Sequence, residues 1–234
     1  MAAENQFRQL SKNTVDARNQ LRDSELVRFD NPAGSGIRVM FVGNSITLHG
    51  PKAEIGWHHD WGMAASGLQK DYVHLLMEKI RQTHPDAAFC VCQVSSWERN
   101  YKNGQEQYPL YEAARAFDAD IIVMRFIENC SAQDWETERF IRQLDALLSY
   151  LNGSGKAEIV YTTGFWHHPG DPSIEECARR HGKQAIRLGD LGEQEEMMAI
   201  GLFEHKGVAM HPGDRGMAAI AERIFAALQP LLAR

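Results

Sequence analysis

The sequence predicts an α/β protein in which a parallel sheet carries helices on both faces. Two observations predict it. Short apolar runs rich in β-branched residues recur along the chain, and amphipathic helical stretches separate them. Strands alternating with helices at this spacing imply parallel pairing, because each crossover returns the chain to the sheet in the same direction. In such folds chemistry collects beyond the carboxyl ends of the strands.

Each element has its own reason. Residues 37–42 (IRVMFV) are short and apolar and end at Gly43, as a buried strand entering a tight turn does. Residues 68–83 place Tyr72, Leu75, Leu76, Lys79 and Ile80 at helical spacing, and Pro85 stops that helix. Residues 88–94 (AFCVCQV) form a second strand, residues 108–117 a helix, and residues 121–124 (IIVM) a third strand. Residues 134–151 make a long amphipathic helix with Phe140, Ile141, Leu144, Leu147, Leu148 and Leu151 in its stripe; Asn152-Gly153-Ser154-Gly155 ends it. Residues 158–162 (EIVYT) are a fourth strand, 173–180 a short helix, and 185–188 a short fifth strand. The final helix follows Gly213, with Met217, Ile220, Ala221, Ile224, Phe225 and Leu228 on one face. No repeat, low-complexity tract or linker interrupts the 234 residues, so one domain over 1–234 is expected. Residues 1–30 read as a helical or partly ordered extension.

Composition excludes several classes. The 25 Lys and Arg residues form no dense block, and net charge is −6, so neither a nucleic-acid surface nor a basic membrane helix is indicated. No apolar run approaches the roughly 20 residues needed to cross a bilayer. Residues 1–30 lack the apolar core of a signal peptide, so a cytoplasmic location is expected. Cys90 and Cys92 alternate within a strand and, with Cys130 and Cys177, read as buried reduced thiols.

The segments beyond the strands carry the candidates for chemistry: residues 43–48, 95–100, 125–129 and 164–168. Ser45 follows Gly43-Asn44 in a sharp turn at the expected mouth of a helix, where its own N–H can face a developing oxyanion. Asn129 stands beyond the third strand, where its side-chain amide can donate to the same oxygen. His211 lies in a Pro/Gly loop before the last helix. Each alone reads as an ordinary turn, cap or surface residue; together, in the order Ser, Asn, His, they are far more specific.

Gly43-Asn44-Ser45, Asn129 and His211-Pro212 resemble the serine, asparagine and histidine blocks of the SGNH hydrolase superfamily, the GDSL-like esterases and lipases. The resemblance runs from about Arg38 to about Ile224. It tightens toward a bacterial subgroup through Trp61-Gly62-Met63-Ala64-Ala65-Ser66, Trp97-Glu98-Arg99-Asn100, Glu128-Asn129 and His211-Pro212-Gly213-Asp214. It implies a three-layer α/β/α, flavodoxin-like fold with a five-stranded parallel sheet. It also implies ester hydrolysis, often of acetyl groups on sugars, with Ser45 as nucleophile, His211 as base and Asn129 as oxyanion donor.

Two departures stand out. The family's second block usually offers a Gly N–H to the oxyanion; Ser95 or Ser96 occupies that place here, and Ser95 lies nearer the strand end. The family usually has an Asp three residues before the His, and Val208 stands there. A main-chain carbonyl near Val208 is the favoured substitute, with Glu204 or Glu128 as alternatives; Asp214 is expected to cap the final helix.

Asn44, Trp97, Glu128 and Trp166 are expected to line the substrate site, Glu128 with an equal reading as a buried ion pair with Arg125. Trp57, Trp61, Trp97 and Trp166 could stack on sugar rings, although core burial is the safer expectation for each. His58-His59 and His167-His168 lack metal-ligand spacing and read as structural or substrate-lining. No cofactor, metal, nucleic acid or membrane partner is expected, only a small-molecule or carbohydrate ester. The function expected is a serine esterase, foremost a carbohydrate O-acetyl esterase. The rivals are a lysophospholipase or thioesterase, and a non-catalytic carbohydrate-binding protein on a decayed hydrolase fold.

Overall fold

In the computed structural model, residues 25–133 and 135–233 are described. Five strands form one sheet: β1 (Val27–Asp30), β2 (Arg38–Gly43), β3 (Ala88–Gln93), β4 (Ile121–Arg125) and β5 (Glu158–Tyr161), in the spatial order β1-β3-β2-β4-β5. The last four pair in parallel. The chain steps from β2 to β3 on one side, then crosses back to β4 on the other. A crevice opens at such a reversal, beyond the end of β2.

The alternation along β2 builds three layers. Val39 and Phe41 enter one core with Tyr72, Leu76 and Ile80 of α1 (Tyr72–Arg81). That core is closed by the final helix, α7 (Asp214–Leu232). Met40 and Val42 enter the other core, under α4 (Thr137–Leu151) and α5 (Asp171–Arg180). Both faces of β2 are buried, which is why it reads as a continuous apolar run. Cys90 and Cys92 share the second face, and all four cysteines are buried and free.

The edges differ from expectation. Residues 27–30, placed within the N-terminal extension, form β1, which pairs antiparallel with β3. Residues 185–188 provide only one parallel bridge, Thr162 to Ile186, so the expected fifth strand is a stub. The sheet is therefore mostly, not wholly, parallel. Residues 1–24, the rest of the expected extension, and Asp134, the expected start of the long helix, lie outside the described residues. Within 68–83, a 3-10 turn (Leu68–Lys70) precedes α1, whose start is set by Asp71 accepting from the His74 N–H at 2.8 Å. The expected helix at 108–117 begins as the end of a 3-10 stretch, Tyr101–Tyr111, and continues as α3 (Glu112–Ala116). Pro109 has no N–H to contribute there. No described helix is long and apolar enough to cross a membrane.

Candidate active site

Register assembles the site. Gly43 pairs with Gln93 on one side and with Arg125 on the other, so three strand ends finish at one level. The segments that follow, with Ser45, Ser95 and Asn129, are thereby neighbours. Gly43 turns the chain: a Cβ there would collide with the Thr47 side chain and come within 2.9 Å of the Arg125 carbonyl. The chain beyond Ser45 is a turn and not the helix expected. Thr47 and Leu48 both donate to the Asn44 carbonyl at 2.9 Å, and the Met63 N–H holds the Ser45 carbonyl at 2.8 Å. Among the described residues the Ser45 N–H donates to none.

His211 arrives from the far end of the sequence. A short helix, α6 (Lys206–Ala209), leads into it, and Pro212 and Gly213 start α7 behind it. Its Nε2 lies 2.9 Å from Ser45 Oγ, and its Nδ1 lies 2.6 Å from the Gly207 carbonyl. A carbonyl can only accept, so Nδ1 carries the proton and Nε2 is the free acceptor for the serine hydroxyl. Burial pushes the imidazole down to about 4, against the pull of the Gly207 carbonyl. At neutral pH it is therefore an unprotonated base. Trp166 packs edge-on against it at 5.4 Å and 81°.

Of the candidates to orient His211, the carbonyl is the one in contact, and it belongs to Gly207. Val208 is wholly buried in the core. Glu204 is exposed. The Glu128 carboxylate accepts from Arg125, Asn44, Ile127 N–H and Phe165 N–H. Asp214 does not cap α7 either; its oxygens take the Ser66 N–H and hydroxyl at 2.8 and 2.6 Å.

Beneath Ser45 lies a buried polar floor. Asn44 Nδ2 donates to Glu98 Oε1 at 3.1 Å and to Glu128 Oε2 at 2.6 Å, while Arg125 Nη2 donates to Asn44 Oδ1 at 3.1 Å and to Glu128 Oε2 at 2.5 Å. Asn129 turns both its N–H and its Nδ2 to the Glu98 carboxylate, at 3.2 and 2.7 Å. The amide's second hydrogen is left for another acceptor. Burial, and then the charge of Glu128, push the Glu98 carboxyl up to about 7 despite those donors. Burial would also raise Glu128, but Arg125 and the donors around it outweigh burial and hold it below the usual range. Arg125 is fully buried, and its Nε and Nη1 find no partner among the described residues.

The expected substrate-lining set is largely corrected. Asn44 and Glu128 bond to one another in the floor, and neither lines the cleft. Trp97 is fully buried in the second core, edge-on to Phe126 at 5.5 Å, because its place in α2 (Ser95–Arg99) turns it inward. Trp57 and Trp61 are buried as well. Trp166 flanks the histidine. Ser95 directs both its N–H and its hydroxyl at Gln93 Oε1, at 3.1 and 2.9 Å. Its N–H is thus engaged, whereas the Ser96 N–H donates to no described residue. His167 and His168 face Glu193 and the Cys130 carbonyl.

Above the floor opens a cleft of about 410 Å³, lined by Ser45, His211, Asn129, Ser95 and Ser96, together with His49, Gln93 and Arg99. His49 and Gln93 lie outside the segments expected to line the site, whereas Glu98 and Arg99 fall within residues 95–100 without being singled out there. For Glu98 and Arg99 the signal was the Trp97-Glu98-Arg99-Asn100 run after a strand; His49 carried none. Among the described residues, one group of possible metal ligands, Asp145, Cys177 and His181, lies away from this cleft, and its polar atoms bond to one another.

No family model matches the sequence, and no curated protein matches it. Solved structures do. A psychrotrophic esterase, EstA from Pseudoalteromonas sp., inhibited by monoethylphosphonate, superposes with a TM-score of 0.57 at 11% identity over 84% of this chain and 99% of its own. A two-domain esterase active on acetylated mannans gives 0.56 at 14% identity over 87% of this chain and 51% of its own. A family two carbohydrate esterase from Clostridium thermocellum, in complex with cellohexaose, gives 0.55 at 14% identity over 84% of this chain and 65% of its own. This chain thus spans about half the length of the two-domain enzyme. At these identities the likeness is one of fold: the α/β/α layers are those of known esterases.

Proposed function

We propose that this protein is a serine esterase of the SGNH type, with Ser45 as nucleophile and His211 as general base. The observation that carries the reading is the 2.9 Å approach of Ser45 Oγ to His211 Nε2, with Nδ1 anchored on the Gly207 carbonyl. A nucleophile within hydrogen-bond reach of a base, itself oriented by a third group, is the arrangement acyl transfer needs.

The chemistry runs in two steps. His211 takes the Ser45 proton as Oγ attacks the ester carbonyl. The new oxyanion is met by the Ser45 N–H, the Ser96 N–H and the second Nδ2 hydrogen of Asn129. His211 returns the proton to the departing alcohol, and water activated by His211 then releases the acid. No metal or cofactor enters either step. The Gly207 carbonyl stabilises the imidazolium by its dipole where a carboxylate would do so by charge. The substrate proposed is an acetyl ester of a carbohydrate, supported by the fold shared with esterases that act on acetylated mannans or bind cellohexaose.

The test is hydrolysis of p-nitrophenyl acetate and butyrate by wild type, Ser45→Ala and His211→Ala. Both variants should lose about 10⁴-fold or more in kcat, since nucleophile and base act as one unit. Full activity in Ser45→Ala would refute the nucleophile.

A further inference from the structure

The run Trp97-Glu98-Arg99 sends three successive side chains of α2 in three directions. Trp97 enters the core, Glu98 supports the floor, and Arg99 is exposed and lines the cleft with Ser45. We propose that the cleft takes an ester whose non-reacting part carries an anionic group, carboxylate or phosphate, and that Arg99 holds that group. This rests on the esterase reading and adds the charge of the substrate to it.

The argument is one of charge balance. The chain carries 31 acidic residues against 25 basic ones. Yet among the described residues no Asp or Glu lines the cleft, and the one Lys or Arg that does is Arg99. Arg99 makes no hydrogen bond or ion pair among the described residues. Other cleft-neighbouring charge is spent internally: Arg125 is committed to Glu128 and Asn44, and Glu98 to Asn44 and Asn129, within the floor. The cationic field reaches into the site, since Lys52 and Arg99 both help to keep His49 uncharged, after burial. A guanidinium offers a planar fork of donors that suits carboxylate and phosphate alike. A cleft of about 410 Å³ leaves room beside the scissile ester for a ring-sized group that bears the charge.

An interaction with a non-reacting group is the same in ground and transition states, so it should act through KM. The test compares 4-acetoxybenzoate with its neutral isostere 4-acetoxybenzamide, and both with 4-acetoxyphenyl phosphate. In wild type, kcat/KM for the benzoate should exceed that for the benzamide by about tenfold or more, mostly in KM. The phosphate arm shows which anion fits: a larger ratio than for the benzoate assigns phosphate, a smaller one carboxylate. Arg99→Ala should bring the anionic-to-neutral ratio near one, and Arg99→Glu should invert it. Raising ionic strength should shrink the wild-type ratio, a readout that needs no variant. Turnover of all three esters with a wild-type ratio near one, or a ratio untouched in Arg99→Ala, would overturn the inference and leave the esterase reading standing. Absence of turnover on every ester would overturn both.

Discussion

Ser45 and His211 meet at 2.9 Å but are held in opposite ways. The serine stands on a floor of Asn44, Glu98, Arg125, Glu128 and Asn129, drawn from three strand ends and bound to one another below the surface. The histidine stands on a short helix and loop, steered by one carbonyl and the edge of one tryptophan. The floor is a network in which each member needs the others, because an unpaired buried charge is costly. The histidine's support is a single local bond within one turn of backbone. Damage to the floor should therefore spread to stability as well as rate, whereas damage near the histidine should stay local.

The largest expected effect breaks the floor. Arg125→Met leaves Glu128 buried without its cation, and unfolding by urea should show a loss of about 3–5 kcal/mol. A loss below about 1 kcal/mol would mean that the floor is not the coupled unit described. Next comes Glu98→Gln. The glutamine amide offers one acceptor oxygen where three donors converge, so Asn129 loses its fixed orientation; kcat should fall about 10- to 100-fold with KM little changed.

The same variant sharpens the pH dependence. The Glu98 carboxyl, at about 7, is a full acceptor only when ionised, so kcat/KM should rise as pH passes through 7 and fall again toward pH 4, where His211 takes up a proton. Glu98→Gln should remove the first step and keep the second. In stability the signs oppose. Folded Glu98 binds a proton that an unfolded carboxyl at 4.5 has released, so its contribution falls as pH rises from about 4.5 to 7. Folded His211 lacks a proton that an unfolded imidazole at 6.5 would hold, so its contribution grows from about pH 4 to 6.5. A kcat/KM flat from pH 5 to 8 would uncouple Glu98 from Asn129. The smallest effect is expected on the other side of the comparison. Gly207→Ala keeps the carbonyl, and its Cβ meets only the exposed His205 ring at 2.9 Å, so activity should stay within about threefold. A loss of a hundredfold there would show that the loop is as unforgiving as the floor.

The difference between the two supports also explains what the sequence made legible. β2, β3, β4 and β5 could be read because each is a local apolar run between turns, and Ser45, Asn129 and His211 could be located by their places beyond strands and before a helix. β1 could not: Val27–Asp30 is short, only half-buried, and owes its pairing to β3 some sixty residues away. Residues 185–188 failed for the converse reason, an adequate local pattern with one bridge to show for it. The direction in which α2 turns Trp97, Glu98 and Arg99 is a matter of helix rotation over five residues, too short for periodicity to reveal. Glu98 finds its partners 31 and 54 positions away, so its role is a tertiary fact.

The partner of His211 Nδ1 is a main-chain oxygen, and a main-chain oxygen has no codon. Every amino acid that could replace Gly207 would present the same acceptor. A scan that exchanged side chains one by one would pass over this acceptor, as though His211 Nδ1 faced nothing. Inheritance gives this third partner no letter of its own to lose: it can be displaced by bending the chain, but not deleted by a point change in the gene.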